Sequence, residues 1–268
     1  MAARVCFITA IYGAYESKCM KYTPQTIPTD FICFTDDANI TSNGWIIDST
    51  PYHLENRCPF DDGKYLNSIV NNKHTFNIGK YYKQAFQNIP RLRDYDAVVW
   101  IDGSIEITNE KTGEYILSTI EQRKIIGWNH EYRNGMMSHE VIMSFISGKY
   151  VSTSWNNQSQ PFQDISKQYN DYILDGFDYN IFKTIMPNNP NIGIWVTCFV
   201  AFANKSDEVT AFLNMWYLQT LVYSTQDQVS FPYVCLKNGL IPYTLPDSEI
   251  KGDRPHWYTD LYTKHVHG

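Results

Sequence analysis

Apolar residues gather in short runs separated by polar turns, and the runs alternate with stretches of helical spacing. Residues 5–10 are apolar apart from Thr9 and run into Tyr12-Gly13, which predicts a buried strand followed by a turn. Residues 31–34 repeat the pattern and close on Thr35-Asp36-Asp37, and residues 45–47 predict a third strand. Residues 65–88 carry helix spacing with basic and aromatic positions interleaved, ended by Pro90. The sequence AVVWI at 97–101 is the most strand-like segment, and Asp102-Gly103-Ser104 follows it at once.

The alternation continues with a helix at 115–122, a strand at 124–128 and a helix at 138–149. Residues 155–183 read as partly helical, and 194–202 as a second strong strand. Helices are predicted at 208–217 and 226–237, the latter with Pro232 inside it, and the last thirty residues read as irregular. Strands alternating with helices imply an α/β fold in which crossovers carry a mostly parallel sheet. No internal repeat or linker breaks the pattern, so one domain over 1–268 is expected. Within it, 1–107 and 108–245 form two functional halves and 246–268 a closing tail.

Composition narrows the class. The 268 residues hold 22 Lys+Arg against 28 Asp+Glu, a net charge of −6, which disfavours a nucleic-acid partner because phosphate backbones call for a basic face. Charged residues make up 19% and aromatics 15%, too apolar a mixture for disorder. No run of about 18 apolar residues predicts a membrane span. The opening MAARVCFITAIYG lacks a long apolar region before a cleavage site, so it reads as a strand rather than a signal peptide. Six cysteines without a CxxC pair favour a reducing, cytoplasmic setting over a disulfide or zinc scaffold. Sequons at Asn39, Asn157 and Asn204 match chance in so Asn-rich a chain.

Five groups carry candidate chemistry. Asp102 ends a buried strand, and a carboxylate at the carboxyl edge of an open α/β sheet faces the crevice where ligands bind. It is suited to a hard divalent cation shared with phosphate oxygens, with Gly103 admitting a close backbone approach; Asp-Gly is also ordinary turn chemistry. Lys73, His74, Lys80, Tyr81, Tyr82 and Lys83 precede that strand, and Lys80 with Lys83 share a helix face, either for a diphosphate or for solvent. His130, Glu131, Arg133, His139 and Glu140 form a polar cluster after a strand, without metalloprotease spacing. Ser224 and Thr225 before Asp227 read as a helix cap that also aims Asp227 outward as a candidate base. His256, His265 and His267 in the tail are candidate ligands for a manganese-like ion, or parts of a frayed end. P-loop, G-x-G-x-x-G and G-x-S-x-G motifs are absent, which disfavours kinase, dehydrogenase and α/β-hydrolase readings.

In order, ITAIYGAYE, DFICFTDD, KYYK, YDAVVWIDGSIEI, the His130/Arg133/Glu140 group, GIWVTCFVAF and QDQVSFPYV resemble a GT-A glycosyltransferase. The likeness is to a small group of plant, bacterial and large-DNA-virus glycosyltransferase-like proteins, which would allow a host-cytoplasm setting if the source is viral. It implies a Rossmann-like domain that binds a nucleotide sugar, favouring a UDP-sugar, with Mn2+ or Mg2+ and a glycan or glycoprotein acceptor. By resemblance, Ala10, Tyr12, Thr35 and Asp36 flank the nucleotide, and Lys80 and Lys83 lie near the donor. Asp102, Gly103 and Ser104 stand at the family's DxD-type element, with Ser in the second acidic place and His265 or His256 as a further metal ligand. His130, Arg133, Glu140, Trp195, Thr197 and Gln226 fall to the sugars, and Asp227 to the base of an inverting transfer. The substitution at Ser104 keeps open a sugar- or nucleotide-sugar-binding module without turnover. A retaining transferase, and a glycoside hydrolase with its own need for two carboxylates, stay open beside it.

Overall fold

The computed structural model describes residues 4–50, 75–155, 158–160, 162–189, 191–245 and 261–264. Seven strands form the main sheet: β1 (Val5–Ile11), β2 (Thr29–Thr35), β3 (Ile46–Asp48), β4 (Ala97–Ile101), β6 (Ile125–Asn129), β9 (Trp195–Ala203) and β10 (Tyr243–Leu245). Their order across the sheet is β10-β6-β9-β4-β1-β2-β3. β1 pairs in parallel with β2 and β4, β2 with β3, and β6 with β10. β9 runs antiparallel to both neighbours, β4 and β6. The architecture is therefore α/β with a mostly parallel mixed sheet, flanked by helices, as the alternating pattern predicts. Shorter pairings join β5 (Ile105–Ile107) to β11 (Tyr262–Lys264), and β7 (Ser154–Trp155) to β8 (Gln158–Ser159).

Strand periodicity divides the core between the two faces of the sheet, because successive side chains point to opposite sides. Val98 and Trp100 of β4 face one cluster, while Ala97, Val99 and Ile101 face the other. The first face is covered by α1 (Thr75–Gln84), α6 (Asp207–Val222) and α7 (Asp227–Asn238), whose Tyr81, Trp216 and Phe231 are each at most 1% exposed. α3 (Met137–Ile146), α4 (Ile165–Leu174) and α5 (Ile181–Ile185) extend that layer, and α2 (Thr112–Ile120) covers the opposite face. Five cysteines, Cys6, Cys19, Cys33, Cys198 and Cys235, are free thiols buried in these layers, while Cys58 lies outside the described residues. No helix among the described residues is long and apolar enough to cross a membrane.

The predicted helix at 65–88 is α1 from Thr75, then a short 3-10 turn at Phe86–Asn88; residues 65–74 lie outside the described residues, Lys73 and His74 with them. The predicted helix at 138–149 ends at Ile146, because Gly148 takes the left-handed conformation at φ +71 and turns the chain. Lys149 and Tyr150 are thereby released from the helix line and carried towards the sheet edge.

Candidate functional site

From β1 the chain steps outward to β2 and β3, then returns to the other side of β1 as β4. That reversal opens a crevice at the carboxyl ends of β1 and β4, the place where open α/β sheets bind ligands. A cavity of about 150 Å³ lies there, walled by the end of β1, the turn after β4, one side of α1 and the segment after α3. Ala10, Tyr12, Lys80, Asp102 and Gly103, five of the residues expected around the nucleotide, line it. Tyr15, Glu16, Trp100, Lys149 and Tyr150 line it as well and were not singled out by pattern, and Thr225, expected only as part of a helix cap, joins them.

The Asp102 turn is built by two backbone hydrogen bonds. The Asp102 N–H donates to the Cys198 carbonyl at 2.8 Å, and the Ile105 N–H closes a four-residue turn onto the Asp102 carbonyl at 2.9 Å. The Trp100 indole N–H donates to Asp102 Oδ1 at 2.9 Å, fixing the carboxylate at the cavity wall. A Cβ on Gly103 would stand 3.3 Å from Ile11 Cγ1 and 3.4 Å from Glu16 Cγ, so glycine lets the turn pack against the β1 loop. Ser104 is fully buried and does not line the cavity.

These positions decide how a divalent cation fits. The cavity presents two carboxylates, Asp102 and Glu16, on adjoining walls, and both raise the pKa of Tyr15 beyond what its burial does. Among the described residues no group of three or more His, Cys, Asp and Glu side chains is gathered for a metal. Two carboxylates suit an open site in which substrate phosphates and water complete the coordination, and do not suit a closed cage. Ser104, expected as a ligand, is buried and is not among the residues that line the cavity. His256 and His265 lie outside the described residues.

Behind the cavity wall lies a buried ionic triad. Lys80 Nζ is 2.7 Å and Lys83 Nζ 2.5 Å from Asp227 Oδ2. Thr197 Oγ1 donates to Asp227 Oδ1 at 3.0 Å and accepts from Lys83 Nζ at 3.1 Å. Burial alone would push the Asp227 pKa up, but the two ammonium groups outweigh it and hold the carboxyl far below the usual range. Desolvation takes Lys80 the other way, down to about 8, in spite of the attraction of Asp227. The expected base is thus a poor one: Asp227 is 3% exposed, both oxygens are engaged, and its affinity for a proton is minimal. Nor does its helix carry the expected hydroxyl cap, since Gln226 is the N-cap and makes no side-chain cap bond. Ser224 Oγ instead accepts from the Gln226 N–H at 3.2 Å.

A second polar cluster joins this triad through Gln226. Glu140 on α3 is 2% exposed and pairs with the Arg133 guanidinium. Gln226 Nε2 and Gln228 Nε2 each donate to Glu140 Oε1 at 2.8 Å, and His130 Nε2 is 3.8 Å from Oε2. Tyr150, a cavity residue, donates to Gln226 Oε1 at 3.4 Å. The structure therefore brings His130, Arg133, Glu140 and Gln226 together, one hydrogen bond behind the cavity. Trp195 is placed differently from the expectation: it is fully buried, with its indole N–H donating to Thr244 Oγ1 at 2.9 Å, and offers no surface to a sugar. Thr197 likewise belongs to the Asp227 anchor and is 2% exposed.

At the next strand end, Thr35 is buried and its hydroxyl accepts from the Asp37 N–H at 3.1 Å. Both Asp36 carboxylate oxygens accept from the Gly13 N–H at 3.1 Å, tying the ends of β2 and β1 together. Thr35 and Asp36 thus brace the β1 turn from beside the cavity rather than lining it. Glu16 was within reach of sequence reasoning as an acidic residue just past a strand end. Lys149 and Tyr150 were not, because their approach depends on where α3 stops.

No protein-family model matches the chain, and no curated protein matches it. Solved structures with a similar fold include core-mannan synthase A from Aspergillus fumigatus in its Mn/GDP form, at 10% identity and TM-score 0.43, over 87% of this chain and 69% of that one. The mannosyltransferase Ktr4p from S. cerevisiae is similar at 9% identity and TM-score 0.41, over 86% of this chain and 62% of that one. The bifunctional WbbM structure is similar at 13% identity and TM-score 0.42, over 87% of this chain and 37% of that one. These solved structures are glycosyltransferases. The chain spans less than two thirds of the length of the yeast and WbbM proteins.

Proposed function

We propose that the chain transfers a sugar from a nucleoside-diphosphate donor to a glycan hydroxyl. The observation that carries this reading is the cavity at the β1–β4 reversal, where two carboxylates, Asp102 and Glu16, share a space with Lys80 and Lys149. Carboxylates together with lysines around one crevice suit a ligand that is anionic and travels with a divalent cation. Asp102 and Glu16 are the residues to hold Mn2+ or Mg2+, which when bound would neutralise phosphate charge as the diphosphate departs. Trp100, Tyr12, Tyr15 and Tyr150 add apolar ring surface with polar tips, a combination that suits a base and a sugar. The Glu140 cluster holds the start of α7, and with it Thr225, against that cavity.

Asp227 serves this reading as an anchor and not as the acceptor's base. The same burial favours a second reading, a nucleotide-sugar-binding module without turnover, because among the described residues no carboxylate outside Asp102 and Glu16 lines the cavity. Calorimetric titration with UDP and with GDP, each with and without Mn2+, tests the first claim. We expect saturable binding of at least one nucleotide that strengthens with Mn2+, and its loss in Asp102→Ala and in Glu16→Ala. No binding by the intact chain under any of these conditions would refute the donor reading. Release of free sugar from a UDP- or GDP-sugar by purified protein, with mannose, glucose and galactose donors in parallel, separates the enzyme from the binding module.

A further inference from the structure

Lys80 and Lys83 stand three residues apart on one side of α1, and both ammonium groups meet the same carboxylate oxygen. Lys83 is wholly committed there. Its side chain is 3% exposed, it donates to Thr197, and its Nζ lies 5.6 Å and 5.8 Å from the rings of Trp100 and Trp216. One carboxylate balances one of two ammonium groups, so the triad retains a positive charge. Of the two lysines, only Lys80 lines the cavity; its side chain is 19% exposed.

A surface lysine gives up rotamer entropy when a ligand fixes it. Lys80 gives up less, because Asp227 at 2.7 Å already holds its head group. The carboxylates of the same cavity add a constraint on the ligand: Asp102 and Glu16 repel a bare anion, whereas a polyphosphate bridged to them by a divalent cation satisfies the carboxylates and Lys80 together. A nucleoside diphosphate meets that description, and a neutral sugar does not.

We propose that Lys80 donates directly to the diphosphate of the bound nucleotide, and that Asp227 and Lys83 are the buried anchor that positions its ammonium group. The assignment rests on the transferase reading above and adds to it a residue that reads the diphosphate. It also divides two lysines that look equivalent in sequence into one ligand-facing and one structural residue.

The test compares the intact chain with Lys80→Met and Lys80→Arg, titrating UDP and GDP in the presence of Mn2+ and, by ligand-observed NMR, uridine and guanosine. Lys80→Met should weaken diphosphate binding about 10- to 100-fold, the worth of a charge-assisted hydrogen bond, with nucleoside binding within about threefold. Lys80→Arg should recover most of the loss. Lys80→Gln replaces the Met variant if thermal melting shows that the latter does not fold. Unchanged diphosphate affinity in Lys80→Met, or a parallel loss for nucleosides, would overturn the assignment. Failure of the intact chain to bind UDP or GDP would instead overturn the transferase reading itself, and the assignment with it.

Discussion

Lys80 carries opposing influences that set its response to pH. Burial lowers its pKa to about 8, Asp227 and Asp102 pull it upward, and Lys83 pushes it down. Glu16 and Lys149 also line its cavity, with the phenols of Tyr12, Tyr15 and Tyr150, whose pKa values burial raises and which therefore stay neutral through this range. A bound diphosphate favours the protonated lysine, so nucleotide affinity should fall as pH rises through about 8, with proton uptake on binding above that point. Calorimetry in two buffers of different ionisation enthalpy measures that uptake, and Lys80→Arg should flatten it. Folding runs the other way: between about 8 and the ordinary 10.5 the unfolded chain binds the extra proton, so Lys80 makes stability rise with pH there. Lys80 and Asp102 were legible in the sequence because local rules place them, one by helix spacing and one by its strand end. The role of Asp227 was not, since its two lysine partners lie more than a hundred residues away and convert an exposed-looking helix-start acid into a buried counter-ion.

Elements read from continuous apolar runs, β1, β2, β4, β6 and β9, agree with the structure to within a residue or two. β3, only three residues long, was still read one residue early at 45–47, whereas β5, β7, β8, β10 and β11, of two or three residues each, carry too few positions for a period to register. Loops hide another constraint. Gly135 at φ +68 and Gly193 at φ +146 lie back to back: a Cβ on Gly135 would stand 2.1 Å from the Ile192 carbonyl oxygen, and one on Gly193 2.4 Å from that of Gly135. This contact presses the loop after β6 onto the start of β9, where the His130 N–H donates to the Ile194 carbonyl at 2.8 Å. Gly135→Ala should cost at least about 2 kcal/mol in denaturant unfolding, since a strained φ is added to a backbone clash. It should also loosen the Arg133–Glu140 pair, seen as weaker nucleotide binding than in a Gly148→Ala control, which shares the positive φ but whose added Cβ would meet no neighbour.

Across the whole molecule, both cores depend on β9. Phe202 is fully buried between α1's follow-on turn and α6, with ring centroids 5.5 Å from Phe86 and 6.3 Å from Phe212 and Trp216. Phe202→Ala should cost about 3–5 kcal/mol by urea denaturation, a large share of the 5–15 kcal/mol typical of a folded domain. The strand also bears on how the chain divides. Residues 1–107 supply β1 to β4 and 108–245 supply β6, β9 and β10, yet β9 hydrogen-bonds β4 on one side and β6 on the other. The expected halves therefore share one sheet, and their boundary passes through its middle.

That placement has a consequence for biogenesis. β4 and β6 are finished by residue 129, but the strand that joins them begins at Trp195. A nascent chain must hold two apolar strand edges apart while residues 130–194 emerge, and contacts closed over such a span are slow and aggregation-prone. Fragments stopping short of Trp195 would keep two sheet pieces with nothing between them, and expression trials should begin with β9 included.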